Sequence, residues 1–384
     1  MGSLIALDIN GSASFVQSLT RIWEAGDAVL PLDLRAPRDY LDSILAQLKP
    51  SAIENSEGVR YSLGDGVPTD DDDALVIATS GTTGRPKGVV HSHRSMQAAA
   101  ELTASATSTD ATSHWLACLP LSHIGGFSVI PRALTAGAEL TVHPDFRPAR
   151  IDRALKQGAT HVSLVPTALA RIDPTPWQVI LLGGSAIPSN RPANSIATYG
   201  MTETGGGVVY DGIALPGVDV RVGGDDLIEI RSPTLARGYR CVDPANQEYP
   251  TALTPLALTD DGFMRTTDLG SIDPTDGALT IHGRLDDLII TGGVKVWPEP
   301  VEQILRSHSL VSDCAVVGRN DPEWGQVVVA VVVAQDETTP PNLDELRELV
   351  KGRLPSPYAP KDLVLTDAIQ RTVTGKLRRS ELLD

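Results

Sequence analysis

From residue 74 onward the chain alternates between two hydrophobic periods. "ALVIAT" (74–79), "HWLACLPL" (114–121), "AELTVH" (138–143), "THVSLVP" (160–166) and "WQVILLGGS" (177–185) are short apolar runs bounded by turn residues, as buried strands are. Between them, "FSVIPRALTAG" (127–137) and "RPARIDRALKQG" (147–158) have helical spacing and stop at glycine. Such alternation predicts a sheet covered by helices. From about 207 to 283 the pattern turns to short strands between Gly, Asp and Pro turns: "VDVRV", "LIEIRS", "GALTIHG". The last hundred or so residues change again, with a helix in "PEPVEQILRSH", strands in "DCAVVGR" and "QVVVAVVVA", and an amphipathic helix in "LDELRELVKGRL". The expected fold is α/β: a large N-terminal α/β domain, residues 1–285, with a β-rich subdomain, and a small C-terminal α+β domain, residues 286–384, with the boundary at Asp286.

Composition narrows the function classes. The chain has 384 residues and a net charge of −16, which disfavours long-range attraction to nucleic acid or an anionic membrane. The longest apolar run, Val327–Ala334, is far short of the ~20 residues of a membrane span. The N-terminus lacks the basic start of a signal peptide, and the MG start lacks the hydroxyl residue of a myristoylation signal. Three widely spaced cysteines form no zinc or CxxC pattern, so a reducing cytoplasm is the expected location. The acidic "TDDDD" (69–73) reads as a solvated loop. Nothing in the sequence sets an oligomeric state.

Candidate chemistry begins at "ATSGTTGRPKGVVHSH" (78–93). Its glycines are three apart and Lys87 precedes Gly88, so it is not a Walker loop. It can still hold phosphate: backbone N–H groups around Gly81 and Gly84 form an anion nest, Ser80, Thr82 and Thr83 add donors, and Lys87 adds charge. The bland alternative is a flexible Ser/Thr/Gly loop. In "YGMTETGGG" (199–207), Glu203 between Thr202 and Thr204 suits a Mg²⁺ that also touches phosphates, although from this stretch alone a plain turn is the better reading. Asp268 in "TTDLG" could accept from vicinal ribose hydroxyls. Arg284 and Asp286 lie in "GRLDDLIITGG", and Lys376 follows a glycine in "TVTGKLRR". His91, His93 and Arg85 read as loop or helix-start residues.

Taken together and in this order, the five stretches resemble the adenylate-forming superfamily of acyl-CoA synthetases, luciferases and peptide-synthetase adenylation domains, over about four fifths of the chain. The resemblance implies a two-step reaction: a carboxylate attacks the α-phosphate of Mg·ATP, and a thiol, here CoA, then attacks the acyl-adenylate. It also implies roles. Thr82 and Thr83 hold the β- and γ-phosphates, Thr202 touches the α-phosphate and Glu203 holds Mg²⁺. Gly183, Gly184 and Ser185 line adenine, Tyr199 stacks on it, and Asp268 and Arg284 grip the ribose. Lys376 bridges the attacking carboxylate and the α-phosphate, Gly293 borders the thiol's path, and Asp286 is a hinge. The glycine-rich loop comes early, so the N-terminal subdomain is expected to be truncated and thin. Proline is missing before the Arg of "IQRTVTGK", a departure expected to matter little.

Short members of this superfamily include actinobacterial ligases that join 2-succinylbenzoate to CoA in menaquinone biosynthesis. "LPLSHIGGFSVIPRALTAGAEL", "VSLVPTALAR" and "TYGMTETGGGVVYDGIALPGVDVRV" resemble that subgroup. By this resemblance His123 lines the acyl pocket. Arg132, on an otherwise apolar helix, would receive the second carboxylate of an aryl dicarboxylate, or else belong to an internal ion pair. The rivals are a CoA ligase for another aryl or fatty acid, and a module loading a carrier protein; no carrier segment follows "RRSELLD".

Overall fold

The computed structural model describes residues 1–80, 85–185, 187–188, 190–242, 251–371, 377 and 379–383. The chain divides into two compact units. The first joins Met1–Asp219 to Ile230–Met264, and the second joins Val220–Glu229 to Arg265–Asp384.

Two sheets build the first unit. The eight-stranded one runs, in spatial order, Thr251–Pro255, Gly238–Val242, Pro86–Ser92, Asp73–Ser80, Ala28–Pro31, Leu4–Asp8, Ala52–Asn55 and Arg60–Ser62. Half of its strands therefore come from the first 62 residues, where Leu4–Asp8 is paired in parallel on both sides. Helices Ala13–Glu24, capped by the Ser12 hydroxyl on Phe15 N–H, and Arg38–Leu48 connect these strands. The N-terminal part is short, yet it supplies a continuous core of Leu4, Ala6, Leu30, Ile44 and Leu48 against Val76 and Val90.

The seven-stranded sheet runs Ile213–Ala214, Gly206–Tyr210, Ser195–Met201, Val179–Leu182, His161–Leu164, His114–Ala117 and Glu139–Val142. The strands read from apolar runs in this region are parallel; His114–Ala117, His161–Leu164 and Val179–Leu182 are buried, as expected when helices cover a sheet, while Glu139–Val142 forms the more exposed edge. Leu116, Val162, Ile180 and Leu182 pack with Ile151 and Ala154 of helix Pro148–Lys156. Helix Val129–Ala136 ends where expected, at Gly137 with φ +65°.

The second unit holds the strands read from "DCAVVGR" and "QVVVAVVVA", which form one long antiparallel pair, Val311–Asp321 with Gly325–Ala334. Helices Pro298–Leu305 and Leu343–Lys351 bury Val301, Leu305, Leu346 and Val350 against Val316, Val328 and Val332. Leu343–Lys351 begins with a reciprocal cap between Asn342 and Glu345. A four-stranded sheet, Asp219–Val222, Leu227–Arg231, Met264–Ile272 and Leu279–Arg284, accounts for the β-rich pattern.

Two local expectations are corrected. The acidic tract is not wholly a solvated loop: Asp73 is buried at the start of its strand, and both Asp73 and Asp70 pair with Arg237. His91 is no loop residue. It lies fully buried inside the strand Pro86–Ser92, whereas His93 does open helix His93–Ala106. No helix among the described residues is long and apolar enough to cross a membrane.

Candidate active site

Strands Asp73–Ser80 and Pro86–Ser92 form an antiparallel hairpin, with Ser80 opposite Pro86 and Thr79 opposite Lys87. Gly81, Thr82, Thr83 and Gly84 lie outside the described residues, as does the Ser80 side chain. Lys87 emerges from the second arm. Its Nζ lies 3.7 Å from Glu203 Oε1 and 3.6 Å from the centre of the Tyr239 ring. Tyr239 donates its hydroxyl to the same Glu203 Oε1 at 3.0 Å. Burial, together with the Glu203 charge, pushes the Tyr239 phenol up, so the hydroxyl remains a donor.

Thr202–Thr204 is a single 3₁₀ turn closed by Gly205 at φ +69°. Its glycines have a steric reason. A side chain at Gly200 would put Cβ 2.0 Å from the Gly206 carbonyl oxygen, so the neighbouring strands can meet only without one. The turn is fastened from the strand Pro86–Ser92 and from the segment that leads into Gly238–Val242. His91 Nε2 donates to the Thr202 carbonyl at 2.7 Å, and Ala236 N–H donates to the Glu203 carbonyl at 2.8 Å. Burial lowers the His91 pKa to about 4, so the ring is neutral near pH 7, with Nδ1 facing the Ser95 hydroxyl at 3.2 Å.

A divalent cation fits here on the chemistry of the donors. Glu203 already has one cation, the Lys87 ammonium, beside its carboxylate. Among the described residues no cluster of three or more His, Cys, Asp or Glu could cage a metal, so Mg²⁺ would take one protein carboxylate and oxygens from a bound phosphate, as Mg²⁺ commonly does.

Gly183, Gly184 and Ser185 leave the end of Val179–Leu182, the strand adjacent to Ser195–Met201, which carries Tyr199. Both glycines are forced: a Cβ on Gly183 would sit 2.6 Å from Thr198 Oγ1, and Gly184 has φ +82°. The segment and the aromatic residue assigned to adenine are therefore on neighbouring strands.

Arg132 is 5% exposed. Its guanidinium stacks over Trp115 at 4.6 Å and reaches Ser163 Oγ and Ser128 Oγ only at 3.4 Å each, while Nε has no hydrogen-bond partner. No carboxylate among the described residues pairs with it, so the internal ion pair is not found; burial lowers its pKa. His123 sits at the start of helix Ile124–Phe127, with Nε2 3.9 Å from Asp33 Oδ2; Arg35 grips that carboxylate on both oxygens.

In the second unit, Asp268 and Arg284 face each other across an antiparallel pair, with Nε 3.6 Å from Oδ1, so the two residues assigned to ribose do meet. Gly293 has φ +80° with open space where a Cβ would be. Lys376 lies outside the described residues. Sequence reasoning missed His91 and Tyr239. The missed signals were a histidine inside an apolar β-period, "GVVHS", and an aromatic in "ARGYR".

Lys87, the Thr202–Thr204 turn with Glu203, and Tyr239 thus form one charged cluster on the first unit. A sequence profile of the AMP-binding enzyme family matches residues 54–249, and one of the AMP-binding enzyme C-terminal domain matches residues 300–376. The chain belongs to the AMP-binding enzyme family. It is 38% identical over 355 residues to a probable 2-succinylbenzoate–CoA ligase of Mycobacterium tuberculosis, covering 85% of this chain and 88% of that one. It is 31% identical over 374 residues to an indoleacetate–CoA ligase of Aromatoleum aromaticum, covering 87% and 72%. The fold matches the o-succinylbenzoate CoA synthetase of Bacillus subtilis, solved with an acyl-adenylate intermediate, at a TM-score of 0.83 and 24% identity over 100% of this chain and 88% of that one.

Proposed function

We propose that this chain is an AMP-forming acid–CoA ligase whose acid is 2-succinylbenzoate, the step that yields 2-succinylbenzoyl-CoA for menaquinone biosynthesis. In the first half-reaction the acid's carboxylate attacks the α-phosphorus of ATP and pyrophosphate leaves. In the second, the CoA thiol attacks the acyl carbonyl and AMP leaves. Residues 80–84 with Lys87 hold the β- and γ-phosphates, and the Thr202 hydroxyl meets the α-phosphate. Gly183, Gly184, Ser185 and Tyr199 take the adenine, and Asp268 with Arg284 takes the ribose. Mg²⁺ held at Glu203 would supply charge neutralisation at the phosphates. Lys376 serves the first half-reaction and must leave for the second, with Asp286 as the hinge and Gly293 beside the incoming thiol. Phosphate chemistry of this type gains mainly from such positioning and charge stabilisation. Three free cysteines suit a reducing cytoplasm.

One observation carries the choice of acid: Arg132 is a buried guanidinium with no carboxylate partner and an unsatisfied Nε. Such a group is costly unless an anion completes it, and the aliphatic carboxylate of succinylbenzoate would do so through charge-assisted pairing. The protein's charge of −16 makes a local cation the more necessary for a dianionic acid.

The test is an acid panel scored by AMP release with and without CoA. Succinylbenzoate should lead indoleacetate, benzoate and medium-chain fatty acids. Arg132→Ala should lower kcat/KM for succinylbenzoate by roughly 2–5 kcal/mol, and by much less for a 2-acylbenzoate lacking the aliphatic carboxylate. Equal losses on both acids make Arg132 structural. A different leading acid overturns the substrate while leaving the adenylation reading intact.

A further inference from the structure

Resting on the adenylate-forming reading, we infer that Tyr239 is a positioning residue for the cation-binding carboxylate Glu203 and for the phosphate-loop lysine Lys87. Tyr239 lies in the strand Gly238–Val242, which pairs with Pro86–Ser92 so that Tyr239 stands opposite Val89, two residues beyond Lys87. That pairing puts the phenol where it reaches both charged groups. Its hydroxyl donates to Glu203 Oε1 at 3.0 Å, and its ring lies 3.6 Å beneath Lys87 Nζ.

Each contact has a separate consequence. The hydroxyl fixes the rotation of a carboxylate that would otherwise turn freely about its last torsion, since terminal sp³–sp² torsions are broad. Both described contacts of that carboxylate fall on Oε1, so its setting depends on Tyr239 and Lys87 alone among the described residues. The ring face offers the ammonium an electrostatic seat that is not a carboxylate. Lys87 can then leave Glu203 for a phosphate without becoming free to roam. The backbone of the same turn is held independently through Thr202 and Glu203 carbonyls. Removing the phenol hydroxyl therefore alters the Glu203 side chain and not the turn that carries it.

The experiment measures Mn²⁺ binding to the full chain with ATP by electron paramagnetic resonance, alongside the Mg²⁺ dependence of pyrophosphate–ATP exchange and thermal unfolding. Tyr239→Phe keeps the ring and loses the hydroxyl. It should weaken Mn²⁺ binding in the ATP complex by ~10-fold or more, the size of one hydrogen bond to a charged group, with exchange restored by excess Mg²⁺ and the melting temperature unchanged. Tyr239→Leu should add a rise in KM for ATP that excess Mg²⁺ does not restore. In a Glu203→Gln background the Phe substitution should have no further effect on Mn²⁺ binding. The inference is overturned if Tyr239→Phe binds Mn²⁺ like the wild type, or if its effect persists undiminished in the Glu203→Gln background. Should Tyr239→Leu fail to fold, the Phe variant and the double variant still decide. Absence of pyrophosphate exchange in the wild type would sink the adenylate-forming reading, whereas the Mn²⁺ measurement tests Tyr239 regardless.

Discussion

Arg379 donates hydrogen bonds to the Glu302 carboxylate and, at 2.8 Å, to the Val316 carbonyl; Glu302 is only 2% exposed. The Glu302 side chain accepts in turn from Val316 N–H at 2.8 Å, and Arg379 Nε lies 3.4 Å from Asp287. Arg379 is three residues after Lys376 and Asp287 directly follows Asp286, so one guanidinium joins the segment of the assigned catalytic lysine to that of the assigned hinge. Arg379→Met leaves Glu302 with Arg306, a half-exposed partner at 3.2 Å. It should cost the second unit roughly 3 kcal/mol, read by urea unfolding. Adenylation should fall more than thioester formation from pre-made acyl-adenylate. Equal losses in the two half-reactions would make the arginine a purely structural anchor.

The proposed division of labour between the half-reactions can be tested at Lys376 and at Asp286, the assigned hinge. Lys376→Ala should slow adenylation by at least ~10²-fold, as loss of one transition-state charge contact does, with thioester formation from supplied acyl-adenylate nearly unchanged. Asp286→Pro should do the reverse. Separate single-turnover assays of each step give the answer.

His91 makes the first unit sensitive to acid. Its folded pKa, near 4, lies below the ordinary 6.5, so the unfolded chain takes up a proton first as pH falls. Stability from this group is complete above pH 6.5 and declines between pH 6.5 and about 4, by up to about 3 kcal/mol. His91→Gln should flatten the pH dependence of the melting temperature across that window. An unchanged slope would place the acid sensitivity elsewhere.

Arg240, 6% exposed, donates to the carbonyls of Leu48, Lys49, Val67 and Pro68. Lys49 is the left-handed C-cap of Arg38–Leu48, so the arginine closes a helix whose last carbonyls would otherwise be unmet. Arg240→Met should destabilise the first unit by roughly 2–4 kcal/mol, since buried acceptors lose their donors. Chemical denaturation reads the loss, and a change below about 0.5 kcal/mol would show that water replaces the guanidinium.

The sequence alone determined the alternating strands and helices after residue 74, the glycine stops, the two valine-rich strands near the C-terminus and the order of the motifs. These depend on local period and on spacing, which a linear chain carries in full. It left the first 62 residues without assigned elements: their strands are only three to five residues long and offer little period to read, and the helices Ala13–Glu24 and Arg38–Leu48 between them also went unread. It misread His91 for a different reason. A polar "HSH" looks like a loop until a carbonyl 111 residues away accepts the ring's proton. Tyr239 likewise has no meaning in "ARGYR" until its strand is laid beside Lys87 and reaches Glu203, 36 residues earlier. For Arg132 the sequence left open an ion pair or a waiting receptor, and only packing decided that Trp115, Ser128 and Ser163 surround it with no carboxylate among them. Period and motif are properties of neighbours in sequence; the partner of a buried charge is a property of neighbours in space, and only the folded chain has those.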